Sequence, residues 1–117
     1  MEIVETKLDE AEKALSHGLF DATIILAYTA MFHAARAILF RDGTVEKSHI
    51  CLIEYLKKKY VNTGKMSEAT IVSLDTLRIE RHETLYGLEV ESSEKEAQYS
   101  LEKAKEFIVS IKDLLKN

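Results

Sequence analysis

The chain has 117 residues, 46% apolar and 31% charged, with four glycines, no proline and a single cysteine, Cys51. That composition excludes disordered, collagen-like and disulfide-stapled proteins, and the length suits one helical domain spanning 1–117. A net charge of −4 has the wrong sign for a dedicated nucleic-acid binder, and the lone cysteine rules out an internal disulfide and suits a reducing, cytoplasmic setting.

From Glu2 to His17 the apolar positions Val4, Leu8, Ala11 and Leu15 recur at helical spacing, with an acidic outer face. Gly18 is placed to end this helix in a left-handed cap, and Asp21 to cap the next one after a very short turn. The second stretch, Asp21 to Phe40, holds six alanines and neither glycine nor proline. Ile24, Tyr28, Met31, Ala35, Ile38 and Leu39 form one apolar face, and Ile25, Leu26, Phe32 and Phe40 carry it most of the way round. A helix apolar on nearly all sides belongs in the middle of a bundle, covered by other helices or by a second copy of the chain. Its length also fits a membrane span, but Thr23, Thr29, His33 and Arg36 lie within it, and an Arg and a His near a bilayer centre are costly. Met1 is followed by no charged-then-apolar leader, so neither an export signal nor a membrane partner is expected.

Arg41-Asp42-Gly43 closes the central helix. Thr44 or Ser48 then caps a third helix carrying Ile50, Ile53, Leu56 and Tyr60, which stops at Asn62-Thr63-Gly64. Lys57-Lys58-Lys59 reads as a solvated face, with an anion-binding edge as the alternative. Ser67 caps a fourth helix through Ile71, Leu74, Leu77, Arg78, Arg81 and Leu85, ending at Gly87. Ser93 and Glu96 have the spacing of a capping box. The last helix carries Ala97, Leu101, Ala104, Ile108, Ile111 and Leu115, a bundle seam. The expected fold is all-α, an up-and-down bundle of four to five helices.

Chemistry is harder to place. There is no glycine-rich phosphate loop, no CxxC and no HExxH, and none of His17, His33, His49 and His82 stands four residues from another. No cofactor and no metal are expected. One constellation stands out: Arg78, His82 and Tyr86 form one column along a helix, with Arg81 beside it. A guanidinium, an imidazole and a phenol together suit binding or cleavage of a phosphodiester. The blander reading pairs Arg78 and Arg81 with Glu80, Glu83 or acids on other helices, and sequence chemistry alone favours it. His33 reads as a core or interface histidine, His49 as a capping or packing residue, and Cys51 as a small core residue.

Tyr28 with Ala30-Met31-Phe32-His33-Ala34-Ala35-Arg36-Ala37, then Lys47-Ser48-His49, then Arg81 followed by Tyr86-Gly87, resemble the small stand-alone HEPN-domain proteins of archaea and bacteria. The resemblance covers nearly the whole chain. It implies a helical bundle that forms a homodimer and works beside a small MNT-type nucleotidyltransferase in a toxin–antitoxin module. Active members of that family are metal-independent ribonucleases, with an Arg, four to six residues and a His at the dimer interface. Here Arg81-x4-Tyr86 has the spacing with a phenol in the histidine position, whereas Arg78 and His82 are one residue too close. A phenol titrating near pH 10 is a poor base at neutral pH. Some family members carry AMP on a tyrosine near the motif, which would correspond to Tyr86. The resemblance therefore implies a module that acts with a nucleotidyltransferase and contacts RNA or nucleotide. The alternatives are an active ribonuclease using Arg78, Arg81, His82 and Tyr86, and a structural dimer without ligand.

Overall fold

Serines and glycines mark the helix ends largely where the sequence places them. The computed structural model describes residues 2–45, 48–86 and 91–116, apart from the side chain of Tyr86. These form α1 (Glu2–Ser16), α2 (Phe20–Arg41), α3 (His49–Leu56) running directly into a π-helical turn (Lys57–Val61), α4 (Glu68–Tyr86) and α5 (Glu94–Leu115). Among the described residues there is no strand. Ser48 accepts a hydrogen bond from the Cys51 N–H at 3.1 Å and Ser67 one from the Thr70 N–H at 3.2 Å. Ser93 and Glu96 make the reciprocal pair of the capping box. Gly18 and Gly43 take positive φ after α1 and α2. The amides of Leu19 and Thr44 return to the carbonyls of Ala14 and Leu39, the closure of a Schellman cap.

The all-α expectation holds, and α2 is the helix the others surround: α1, α3, α4 and α5 all pack against it. Ala27, Ala30, Ala34 and Ala35 are fully buried on it. Their small side chains bring neighbouring helices close, while Ile24, Tyr28, Met31 and Ile38 fill the layers between. This helix has the length and hydropathy of a membrane span, yet more than half of its most apolar window lies inside the fold. Its own chain therefore covers most of the surface that sequence alone left to other helices or to a second copy. Phe40, at its far end, stays 88% exposed. On α5 the predicted seam is buried except Leu115, which is half-buried, and Phe107 and Leu114 join it.

Several local expectations are corrected. Asp21 does not cap α2: the cap position is Leu19, which makes no side-chain bond. The Gly18–Leu19 turn places the cap two residues early, so the Asp21 carboxylate sits in the first turn, favourable beside the helix dipole, and accepts the Ser92 N–H at 3.0 Å. Ile50 is 56% exposed and Cys51 is exposed, because α3 turns the face of His49, Leu52, Ile53 and Leu56 inward, with His49 against Tyr28 and Phe32. Leu85 is likewise exposed near the end of α4. Gly87 lies outside the described residues.

The C-terminal end of α2 is held by a compact polar network. Asp42 Oδ2 accepts hydrogen bonds from Tyr55 at 2.8 Å and Tyr60 at 2.5 Å, with Lys59 Nζ at 3.3 Å. Arg41 donates to the Tyr60 hydroxyl at 3.1 Å and to the Leu114 carbonyl at 2.6 Å, reaching the end of α5. Burial would raise the Asp42 carboxyl. The donors from Tyr60, Tyr55 and Lys59 outweigh it and hold the group down at about 2.

A carboxylate whose pKa is lower folded than unfolded adds stability above its unfolded value, and that contribution is lost as pH falls towards 2. Asp42→Asn leaves these donors with a poorer acceptor. We expect it to cost about 1–3 kcal/mol, read as a lower urea midpoint at unchanged slope, and to flatten the acid limb of stability between pH 4 and 2. An unchanged midpoint would show that the network contributes nothing.

Candidate functional site

Three residues one turn apart on α2, Tyr28, Phe32 and Arg36, form a stripe that runs from the core to the surface. Tyr28 is 1% exposed. Phe32 is half-buried and Arg36 exposed. His49, the first residue of α3, lies against this stripe. Its ring stacks on Phe32 with centroids 4.3 Å apart and on Tyr28 at 5.5 Å. Its Nδ1 is 2.7 Å from the Tyr28 hydroxyl. At one end the Arg36 guanidinium sits 5.7 Å above Phe32, and at the other the Arg81 guanidinium, from α4, sits 5.7 Å over Tyr28. The result is a ladder, Arg36–Phe32–His49–Tyr28–Arg81, assembled from three helices. Cation–π contact and ring stacking hold such a set in place.

The charges of Arg81, of Arg78 and of the Asp75 carboxylate paired with Arg78 all act on this face. Burial pushes the Tyr28 phenol up to about 12, although the charges of Arg81 and Arg78 pull the other way. The phenol therefore stays protonated at neutral pH. The His49 imidazole is pushed below 6.5 by burial first and then by Arg81 and Arg78. His33, next along α2, is lowered by burial, Arg36 and Lys7. Both rings are thus held neutral near pH 7, with guanidinium groups supplying the charge.

Of the residues singled out from sequence, Arg81 lies on the ladder. Arg78 is half-buried, bonded to Asp75 at 3.0 Å, and its field reaches Tyr28 and His49. Glu80, one of the acids proposed to pair with the arginines, instead accepts a hydrogen bond from Ser100 at 3.2 Å. His82 is exposed on the outer side of α4. Tyr86 ends α4, and its side chain lies outside the described residues. Lys57, Lys58 and Lys59 are exposed, with Lys59 drawn to Asp42 and Tyr55. Among the described residues no cluster of three His, Cys, Asp or Glu could hold a metal ion. Sequence reasoning missed the roles of Tyr28, Phe32, Arg36 and His49. The four-residue spacing of the first three was the available signal. Nothing in the sequence marked His49 as their partner, 21 positions from Tyr28.

An all-α bundle built on an alanine-rich central helix, with a guanidinium and aromatic face where three helices meet, defines the class. The chain matches the HEPN domain family over residues 1–114 and belongs to it. It is 34% identical over 64 residues to the UPF0332 protein PH1297 of Pyrococcus horikoshii, and 31% identical over 68 residues to a Methanocaldococcus jannaschii protein named "Putative toxin MJ0605". The matched segments cover 55% and 58% of this chain and 45% and 51% of those proteins, so the chain spans about half the length of the curated relatives it matches.

Removing a nearby positive charge raises the pKa of an imidazole. A proton NMR titration should therefore place the His49 midpoint below 6.5 in the wild type and closer to 6.5 in Arg81→Ala. A midpoint that ignores Arg81 would mean that the guanidinium does not sit over the Tyr28–His49 pair in solution.

Proposed function

We propose that this chain is a toxin-like HEPN module whose ladder face binds RNA. In this reading it works as a homodimer beside an MNT-type nucleotidyltransferase. The observation that carries the reading is the stacked Phe32–His49 pair with the Arg36 guanidinium over Phe32 and the Arg81 guanidinium over the neighbouring Tyr28 ring. Single-stranded RNA is recognised by stacking its splayed bases on aromatic rings while guanidinium groups take the phosphates. A half-buried aromatic pair flanked by arginines on both sides meets both needs at one place. The overall charge of −4 counts against non-specific binding along a duplex and is compatible with a short local contact. The M. jannaschii relative's name supports the toxin-like part. The dimer and the nucleotidyltransferase are carried over from family membership.

The test is fluorescence anisotropy with a short single-stranded RNA, alongside co-purification with a nucleotidyltransferase of the MNT type. Loss of base stacking costs about 1–3 kcal/mol, so Phe32→Ala should weaken binding about 5- to 150-fold. Arg81→Ala should weaken it and flatten its salt dependence, and Lys58→Ala should leave it near wild type. Equal affinity of Phe32→Ala and Arg81→Ala with the wild type would refute binding at the ladder.

A further inference from the structure

One sector of α2 is left uncovered by its own chain. Between Thr23 and Leu39 every residue is buried except Ile25, Leu26, Thr29, Phe32 and Ala37, with His33 and Arg36 as the ionisable side chains among them. These recur at steps of three and four, and Ala22 and Phe40 continue the row at its two ends. At 3.6 residues per turn the row fills a sector about 140° wide. A mostly apolar face of that width has the make-up of a core face without its partner. Lys7 of α1 acts on His33 and His49 of α3 stacks on Phe32, so those two helices border the sector without covering it. Its two ends are unlike. At one, Phe40 projects with 88% of its surface exposed. At the other, an open cavity of about 290 Å³ is lined by residues 18–22, 91 and 92.

We propose that this sector is a seam between two copies of the chain, with α2 packed antiparallel on α2 of the second copy and the two-fold axis at Thr29. The proposal rests on the homodimer in the reading above and adds the face and the register. Phe40 lies as far after Thr29 as Gly18 lies before it. Antiparallel pairing about Thr29 therefore carries each Phe40 about 16 Å from the axis, to the cavity of the other copy. A shallow crossing near 20° keeps the helix ends together, whereas a steeper one would splay them apart. The same register brings Arg36, one turn short of Phe40, beside Asp21 of the partner subunit. A guanidinium in an apolar seam is costly unless an opposite charge meets it, and this carboxylate does so. One register thus covers the exposed ring and pairs the charge, twice over, in a contact that closes at two copies. A two-fold axis perpendicular to both helices keeps each flank of the seam on its own side. The Phe32–His49 pairs of both copies, on the α3 flank, then lie on the same side of the dimer.

A cysteine on the axis meets its own copy, which gives a direct test. Packed helices bring facing Cα atoms to about 4–5 Å, within the span of a disulfide. In a Cys51→Ser background, Thr29→Cys should therefore form a covalent dimer on mild oxidation. Val109→Cys, on the exposed side of α5, should stay largely monomeric on a non-reducing gel. Sedimentation of the unmodified protein at micromolar concentration is measured alongside and should give a dimer. Phe40→Ser should raise the dimer dissociation constant about 100-fold or more, because each dimer loses two buried rings. Its helical circular dichroism should be unchanged, since the ring is exposed in the protomer. A dimer in which Thr29→Cys does not cross-link, or which Phe40→Ser leaves as tight as before, would overturn this seam and leave the homodimer reading standing. A protein that sediments as a monomer would overturn both. Should Thr29→Cys fail to fold, the dissociation constant of Phe40→Ser decides.

Discussion

The buried hydroxyl of Tyr28 is the constraint on which the rest depends. A phenol on the inner face of a central helix must find a hydrogen-bond partner or cost the fold the desolvation of its oxygen. His49 is that partner. The bond pins the start of α3 against the middle of α2, and the same ring receives Arg81 from α4. Two helices are thus oriented by one side chain. The assembly of the core and the assembly of the candidate site are the same event.

The segment after Leu56 is secured at its other end by a second polar anchor. A π-helical turn inserts an extra residue per turn and shifts the register of the chain beyond it. Here Lys57–Val61 forms that turn, and Tyr55, Lys59 and Tyr60 all reach Asp42 at the end of α2. Arg41 ties the same point to the end of α5. The α3 segment therefore spans α2 between two polar clamps, His49 on Tyr28 and the tyrosines on Asp42. Apolar burial of Leu52, Ile53 and Leu56 fills the space between them. Such a strap holds His49 more firmly than its position at the exposed start of a short helix would suggest.

Much of the fold was legible because its signals are local. The Ser93–Glu96 box, the Gly18 and Gly43 stops, and the 3–4 spacing along α5 each act within a few residues. Misreadings came where a longer-range contact chose between local options. Asp21 had the chemistry of a cap and became a bridge to Ser92. Ile50 had helical spacing for an inward residue, and the contact of His49 with Tyr28 turned the face of Leu52 inward instead. The same division runs through the site. Arg81 could be singled out because arginines on a helix with His and Tyr attract attention in sequence. Its partners could not, since Tyr28 looks like a core aromatic and His49 like a cap neighbour until α2, α3 and α4 are brought together.

A chain with net negative charge sets the guanidiniums of Arg36 and Arg81 at the two ends of a run of stacked rings, and the account stands on that local arrangement. The most direct measurement is amide and side-chain NMR shift mapping while a short single-stranded RNA is added to the labelled protein. The account predicts that the largest changes fall on Phe32, Arg36, His49 and Arg81, with the exposed Lys57–Lys59 edge little affected. Changes centred on those lysines, with the Phe32 and His49 rings unmoved, would contradict it.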